Sequence, residues 1–326
     1  MTTMPNDSHT PHAGTVQEFY IDATADNLKI SVLTATPAAD TAPRAIVQIV
    51  HGMCEHKERY LPFMQYLNTR GYICIAHDHR GHGKSIRTAD DLGYFYDGGY
   101  EAMINDAHAV TLWAKQHFPN KPLYLFGHSM GSMVVRSYTK RYDNELSGLI
   151  VCGSPSYNAG SLAGRGVARL LSFVRGSHHR SAFIQKLAFG NYNQKFGQVQ
   201  SPNAWICSDP EIVAWYDANP LCNFTFTVNG FDNLFALMRD AYSPKHWSMA
   251  QPQLPVLFVS GADDPCLISP AKFDQAVALM RQVGYQNVGS KLYAGMRHEI
   301  LNERGKEQVW RDIADTIDRW QNADKQ

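Results

Sequence analysis

Two spacings of apolar residues take turns along the chain. Short runs are almost continuous in Val, Ile, Leu and aromatics: "AIVQIVHG" at 45–52, "YICIAHD", "PLYLFGH", "LSGLIVCGSP" and "LPVLFVSG" at 254–261. Between them lie segments with apolar residues three and four apart. These predict helices over about 60–69, closed by Gly71, over 100–117, directly after Gly131, over 270–283, and a last helix ending near 320. A shorter run, "SKLYAG", precedes that last helix, and "TVQEFYIDA" with "LKISVLTAT" at the start read as a β-hairpin. Strands buried on both faces and separated by helices predict an α/β fold, a mostly parallel sheet flanked by helices.

The alternation stops near Pro155 and resumes at Leu254. Residues 156–250 are richer in aromatics, carry helical spacing and hold no clear strand. We therefore expect a core built from 15–155 and 251–326, with 156–250 as a helical cap over the strand ends, where such sheets bind ligands. Residues 1–14 read as a loose tail without the basic and apolar regions of a secretory signal.

Charge removes one function class: thirty Lys+Arg balance thirty Asp+Glu, so no nucleic-acid partner is expected. No apolar run reaches the roughly 20 residues of a membrane-spanning helix. The six cysteines (54, 74, 152, 207, 222, 266) form no CxxC pair, which fits reduced thiols in a cytoplasm.

Gly127-His128-Ser129-Met130-Gly131 carries the chemistry. A serine between glycines at minus two and plus two, after a strand and before a helix, has the spacing of a nucleophile elbow. A serine hydroxyl needs a base, and the base an orienting carboxylate, in the chain order Ser, acid, His. "YAGMRHEILNE" supplies His298 after the last strand, and "SGADDPCL" supplies Asp263 and Asp264. Asp264 precedes Pro265, which holds it extended, so it is the favoured acid and Asp263 the competitor. The oxyanion donors are expected to be the backbone N–H groups of Met130 and of Met53, in "HGMCEHKERY". "HDHRGH" at 77–82 has histidines spaced for zinc, but Gly81 stands where the metal pattern needs an aspartate, so no metal and no cofactor are expected.

Together "IVHGMCEHKERY", "HDHRGHGKS", "GHSMG", "SGADDPCL" and "MRHEILNE" resemble the α/β-hydrolase superfamily, within it the monoacylglycerol lipase and lysophospholipase branch, also grouped with serine aminopeptidases. The resemblance spans about 15–320 and implies Ser129, Asp264 and His298 as the triad, with Met53 and Met130 at the oxyanion hole. One departure is Cys54, where the family's His-Gly-x-Gly-Glu-His has its second glycine. The resemblance implies a serine hydrolase of lipid-like esters such as monoacylglycerol or lysophospholipid; other small esters and aminoacyl amides are the alternative. Aromatics of the insertion, among them Phe189, Tyr192, Trp205 and Phe224, are candidates for an acyl pocket. "SLAGRGVARLLSFVRG" reads as a basic amphipathic helix able to rest transiently on a lipid surface. Cys54 and Cys266 lack a dedicated base and are not expected to be nucleophiles.

Overall fold

The computed structural model describes residues 14–323. The expected tail lies outside the described residues, apart from Gly14. The first elements are β1 (Gly14–Asp22), β2 (Lys29–Ala38), β3 (Ala45–Val50), α1 (Leu61–Thr69), β4 (Tyr72–His77) and α2 (Gly99–His117). Next come β5 (Leu123–His128), α3 (Met130–Tyr142) and β6 (Gly148–Cys152). Four helices follow before the sheet resumes: α4 (Gly160–Arg175), α5 (Ala182–Phe189), α6 (Pro210–Ala218) and α7 (Val228–Ala241). The chain ends with β7 (Val256–Gly261), α8 (Pro270–Val283), β8 (Val288–Tyr293) and α9 (Lys306–Ala323).

The eight strands form one sheet in the order β1-β2-β4-β3-β5-β6-β7-β8. The β1–β2 and β2–β4 pairs are antiparallel and the others parallel. Alternate side chains of each inner strand enter different cores, as a pleated strand requires. Val47, Ile49 and Phe126 pack with Phe63 and Leu67 of α1 and Ile313 and Ile317 of α9. Ile46, Val50 and Leu125 face the other way, toward Met103 and Val110 of α2 and Val134 and Tyr138 of α3.

Val50 at the end of β3 is paired with His77 of β4 on one side and Gly127 of β5 on the other. The chain leaves β3 toward β4 and returns past it to β5, so connections part in opposite directions here. A crevice opens at such a switch point, beyond the carboxyl ends of the strands. The loops after β3 and β5 meet in it. Of the four helices between β6 and β7, α7 caps its start with Thr227, whose side chain accepts the Gly230 N–H. Gly164 of α4 lies so close to α7 that a Cβ there would sit 2.8 Å from the Phe235 ring. Among the described residues between β6 and β7, the strand-like pairing is a single bridge, Arg180 to Thr227.

Candidate active site

The corner after β5 is sharp. Ser129 has φ 53° and ψ −119°, a left-handed conformation rarely taken by a residue with a side chain. The glycines allow the flanks to close: a Cβ on Gly127 would lie 2.5 Å from the Gly131 carbonyl oxygen, and one on Gly131 2.2 Å from that of Val50. The Ser129 N–H donates to the Cys152 carbonyl at 2.9 Å, tying the corner to β6.

Ser129 Oγ lies 2.8 Å from His298 Nε2, and His298 Nδ1 lies 2.9 Å from Asp264 Oδ2. His298 arrives on the loop after β8 and Asp264 on the loop after β7. Asp264 is extended (φ −65°, ψ 116°), as its place before Pro265 leads one to expect, and its Oδ1 accepts the Cys266 N–H at 2.8 Å. Its Oδ2 also accepts the Ser260 hydroxyl at 3.0 Å. Burial opposes the charge on Asp264, but His298 and these hydrogen bonds outweigh it and hold the carboxyl below its usual range. Asp263, the competitor, is exposed, and Asp264 itself caps the short turn that begins at Pro265.

Met130 opens α3 and is buried, and Met53 is half-buried on the loop after β3. Both line the same cavity as Ser129 and His298. Cys54 keeps the conformation expected of the glycine it replaces, with φ 54°. Its buried thiol donates to the Phe224 carbonyl at 2.9 Å, joining this loop to the segment before α7. His77 ends β4, and His79 and His82 lie in the packed loop after it: His79 Nε2 is 3.0 Å from the His51 carbonyl oxygen, and the His82 ring meets Phe224 and Phe226 edge-on. Burial pushes His77 and His82 down to about 4, so both are neutral at ordinary pH.

Sequence reasoning missed a buried charged network behind the site. The Glu55 carboxylate accepts the Gly52 N–H, the Tyr60 hydroxyl at 2.9 Å and Arg59 at 2.7 Å. Arg59 also forks onto Glu299 with bonds of 2.7 and 2.6 Å. A signal existed: Glu55 and Arg59 stand four apart in a segment flanked by apolar residues, and the residue after His298 is a glutamate.

The cavity over Ser129 measures about 740 Å³, within the range for organic ligands of moderate size. Phe189, Tyr192, Trp205 and Phe224 form part of its wall, with Leu234 and Met238.

A serine on a strand-to-helix corner, bonded through histidine to aspartate at the carboxyl edge of a doubly wound sheet, is the arrangement of the α/β-hydrolases, and this chain is a carboxylic ester hydrolase of that fold. Residues 41–305 match the family model described as serine aminopeptidase, S33, and the chain belongs to that family. It is 30% identical to a monoacylglycerol lipase of Mycolicibacterium smegmatis over 279 residues, covering 85% of this chain and 89% of the relative. A monoglyceride lipase of Rattus norvegicus is 25% identical over 284 residues, 85% of this chain and 82% of that one. Among solved structures, a highly thermostable carboxyl esterase of Bacillus coagulans, crystallised with glycerol, superposes with a TM-score of 0.87 at 29% identity, covering 94% of this chain and 99% of that one.

Proposed function

We propose that the protein hydrolyses lipid esters of the monoacylglycerol type through an acyl-enzyme on Ser129. His298 takes the hydroxyl proton as Ser129 attacks the ester carbonyl, then gives it to the departing alcohol. Asp264 holds the imidazole with its proton on Nδ1 and stabilises the charged form. The N–H groups of Met130 and Met53 receive the oxyanion. Water then repeats the sequence and releases the fatty acid. The observation that carries this reading is the bonded series Ser129–His298–Asp264 at the wall of a cavity lined by apolar side chains.

Chemistry of the wall supports an uncharged ester. Asn158, Gln185, Asn193 and Asn223 line the cavity and suit alcohol hydroxyls, whereas a phosphate head group calls for free cations. Arg59 lies behind the wall and is committed to Glu55 and Glu299, so among the described lining residues the lysine or arginine is Lys186 alone, on the exposed side of α5. An aminoacyl amide calls for a free carboxylate to hold its ammonium. Among the described lining residues the carboxylates are Glu55 and Glu299, and both are already paired with Arg59.

Residues 156–250 act in this reading as a cap with a lipid-facing side. Leu162, Leu170, Phe173 and Val174 of α4 and Phe183 and Leu187 of α5 are exposed, with Phe173 at 90%. Leu187 and the exposed Ile268 also line the cavity, so the apolar surface reaches its mouth. The cationic side is weaker than the sequence suggested, because Arg165 and Arg169 both pair with Asp232. Contact with a lipid surface is therefore mainly apolar and transient. No helix among the described residues is long and apolar enough to cross a membrane. Six free, buried cysteines support a reducing, cytoplasmic setting.

The test is a panel of monoacylglycerol, lysophospholipid and aminoacyl amide, run beside fluorophosphonate labelling. Monoacylglycerol should be cleaved fastest, and label should map to Ser129. Faster amide than ester cleavage, or label on another residue, would overturn the proposal.

A further inference from the structure

The partners of a histidine ring count its protons. His128, the residue before Ser129, is buried, with Nδ1 3.0 Å from Glu55 Oε1 and Nε2 3.3 Å from the His298 carbonyl oxygen. A neutral imidazole has one N–H and one acceptor nitrogen, so two accepting partners require two N–H groups. Glu55 cannot supply the missing proton without losing bonds of its own. Its oxygens already accept from Gly52, Tyr60 and Arg59, which suits a carboxylate. The buried charges point the same way. Glu55 and Glu299 are two negative charges against one positive charge on Arg59, and an uncompensated buried charge costs several kcal/mol. A protonated His128 makes the group neutral.

We propose that His128 is a standing imidazolium, and that it is the positioning residue that fastens the Gly52 loop, the Ser129 corner and the His298 loop together. This rests on the reading that Ser129 and His298 perform the chemistry. The same Glu55 oxygen takes the Gly52 N–H and faces His128, so the loop carrying Met53 is set relative to Ser129. The opposite nitrogen fixes the backbone that carries the His298 ring, whose centroid is 4.8 Å from that of His128. His128 therefore spans the oxyanion donor and the base without touching the reacting atoms.

The surrounding groups agree. From the segment after β3, His128 meets Glu55, with Arg59 and Tyr60 behind it. From the loop after β8 come His298 and Glu299. Cys152 of β6, with Cys54 and Cys222, is uncharged because burial pushes these thiols up. Burial pulls His128 down, but the hydrogen bond and charge of Glu55, with Glu299, raise it above the ordinary histidine value. Burial likewise opposes charge on Glu55, yet His128 and Arg59 depress it. A raised histidine loses its contribution as pH rises through its own pKa, and a depressed glutamate loses its contribution as pH falls through its own. The link thus weakens on the alkaline side as His128 loses its proton and on the acid side as Glu55 gains one.

The experiment is long-range proton–nitrogen NMR on the full chain labelled with ¹⁵N-histidine. At about pH 8, above the ordinary histidine pKa of about 6.5, one histidine among the fourteen should show both ring nitrogens protonated. That signal should be absent from His128→Gln. In Glu55→Gln, which serves if the first variant does not fold, His128 should give a neutral pattern at the same pH. A neutral pattern for His128 in the wild-type protein overturns the proposal, whatever the enzyme's activity. The positioning role is read separately: His128→Gln should lower kcat by about tenfold to a hundredfold with KM little changed, and slow fluorophosphonate labelling of Ser129 in parallel. A kcat equal to wild type overturns that role. Failure of Ser129 to label in the wild type would instead strike the catalytic reading and leave the charge assignment standing.

Discussion

Replacing Asp264 by Asn tests the acid with almost no change of shape. Oδ1 of Asp264 accepts the Cys266 backbone N–H, a donor that cannot turn away, so the Asn oxygen must stay there. The amide nitrogen then takes the place of Oδ2, facing Ser260 Oγ and His298 Nδ1. The Ser260 hydroxyl can rotate to accept, but the imidazole cannot rotate its proton away. His298 must offer a lone pair at Nδ1 and move its hydrogen to Nε2, the nitrogen 2.8 Å from Ser129 Oγ. A base that already carries its proton toward the serine cannot take another. In the well-studied serine protease triad the same exchange costs about 10⁴ in kcat, equivalent to about 5.5 kcal/mol at 1.36 kcal/mol per decade. We expect a loss of that order in kcat on a short soluble ester, while Asp263→Asn, altering an exposed side chain, should change it less than about twofold. The depressed carboxyl of Asp264 also stabilises the fold, fully above the ordinary value of 3.8 and less as pH falls through its own. Asp264→Asn should accordingly flatten the loss of thermal stability below about pH 4. Retention of activity within tenfold, or a larger loss in Asp263→Asn, would refute the reasoning.

Ser129→Ala should abolish fluorophosphonate labelling and ester turnover with a melting temperature near that of wild type; residual burst kinetics would point to another nucleophile. Along p-nitrophenyl esters from butyrate to octanoate, kcat/KM should rise by up to about fourfold per methylene, the equivalent of about 0.8 kcal/mol, and a flat series would show that the cavity does not hold the acyl chain. Leu170→Ser with Phe173→Ser should remove stimulation by lipid vesicles and spare the soluble ester, and since Leu171 is half-buried and packs on the core, Leu171→Ser should instead lower stability. Cys54→Ala removes the thiol bond to Phe224 and should cost about 1 kcal/mol in denaturant unfolding while Ser129 still labels; loss of labelling with folding intact would make the thiol part of the chemistry.

Periodicity carried the sheet because its inner strands are buried on both faces. "AIVQIV" and "YICIAH" could only be central strands, and the expected helix over 270–283 runs over those residues. The helices between β6 and β7 were visible only as a class. Their apolar residues serve three surfaces at once: packing on the core, the cavity wall and an exposed side, so Leu171 and Phe173 of one helix have opposite surroundings and no single stripe emerges. Asp264 against Asp263 was legible in the order of "GADDP": the proline holds the acid before it extended, and it is that carboxylate which meets His298. The Glu55–Arg59–Glu299–His128 network left only faint signs in the sequence. Arg59 and Glu299 are 240 positions apart, and each reads as an ordinary surface charge until the fold buries them together.

The separation of Ser129 from His298 bears on how the protein is made. The two lie 169 positions apart, with β6 to β8 and the helices α3 to α8 between them. A ribosome adding about 5–20 residues per second needs roughly 10–30 s to cover that stretch, during which β5 and the serine corner are synthesised but no base exists to activate them. The Arg59 side chain waits longer still for Glu299, 240 positions on. Emergence of the last loop and α9 therefore covers the α1 face of the sheet, neutralises the buried charges and, on the proposed mechanism, switches on the hydroxyl in one late event. On that mechanism, nascent or truncated chains that lack the last loop should be chemically silent toward ester substrates.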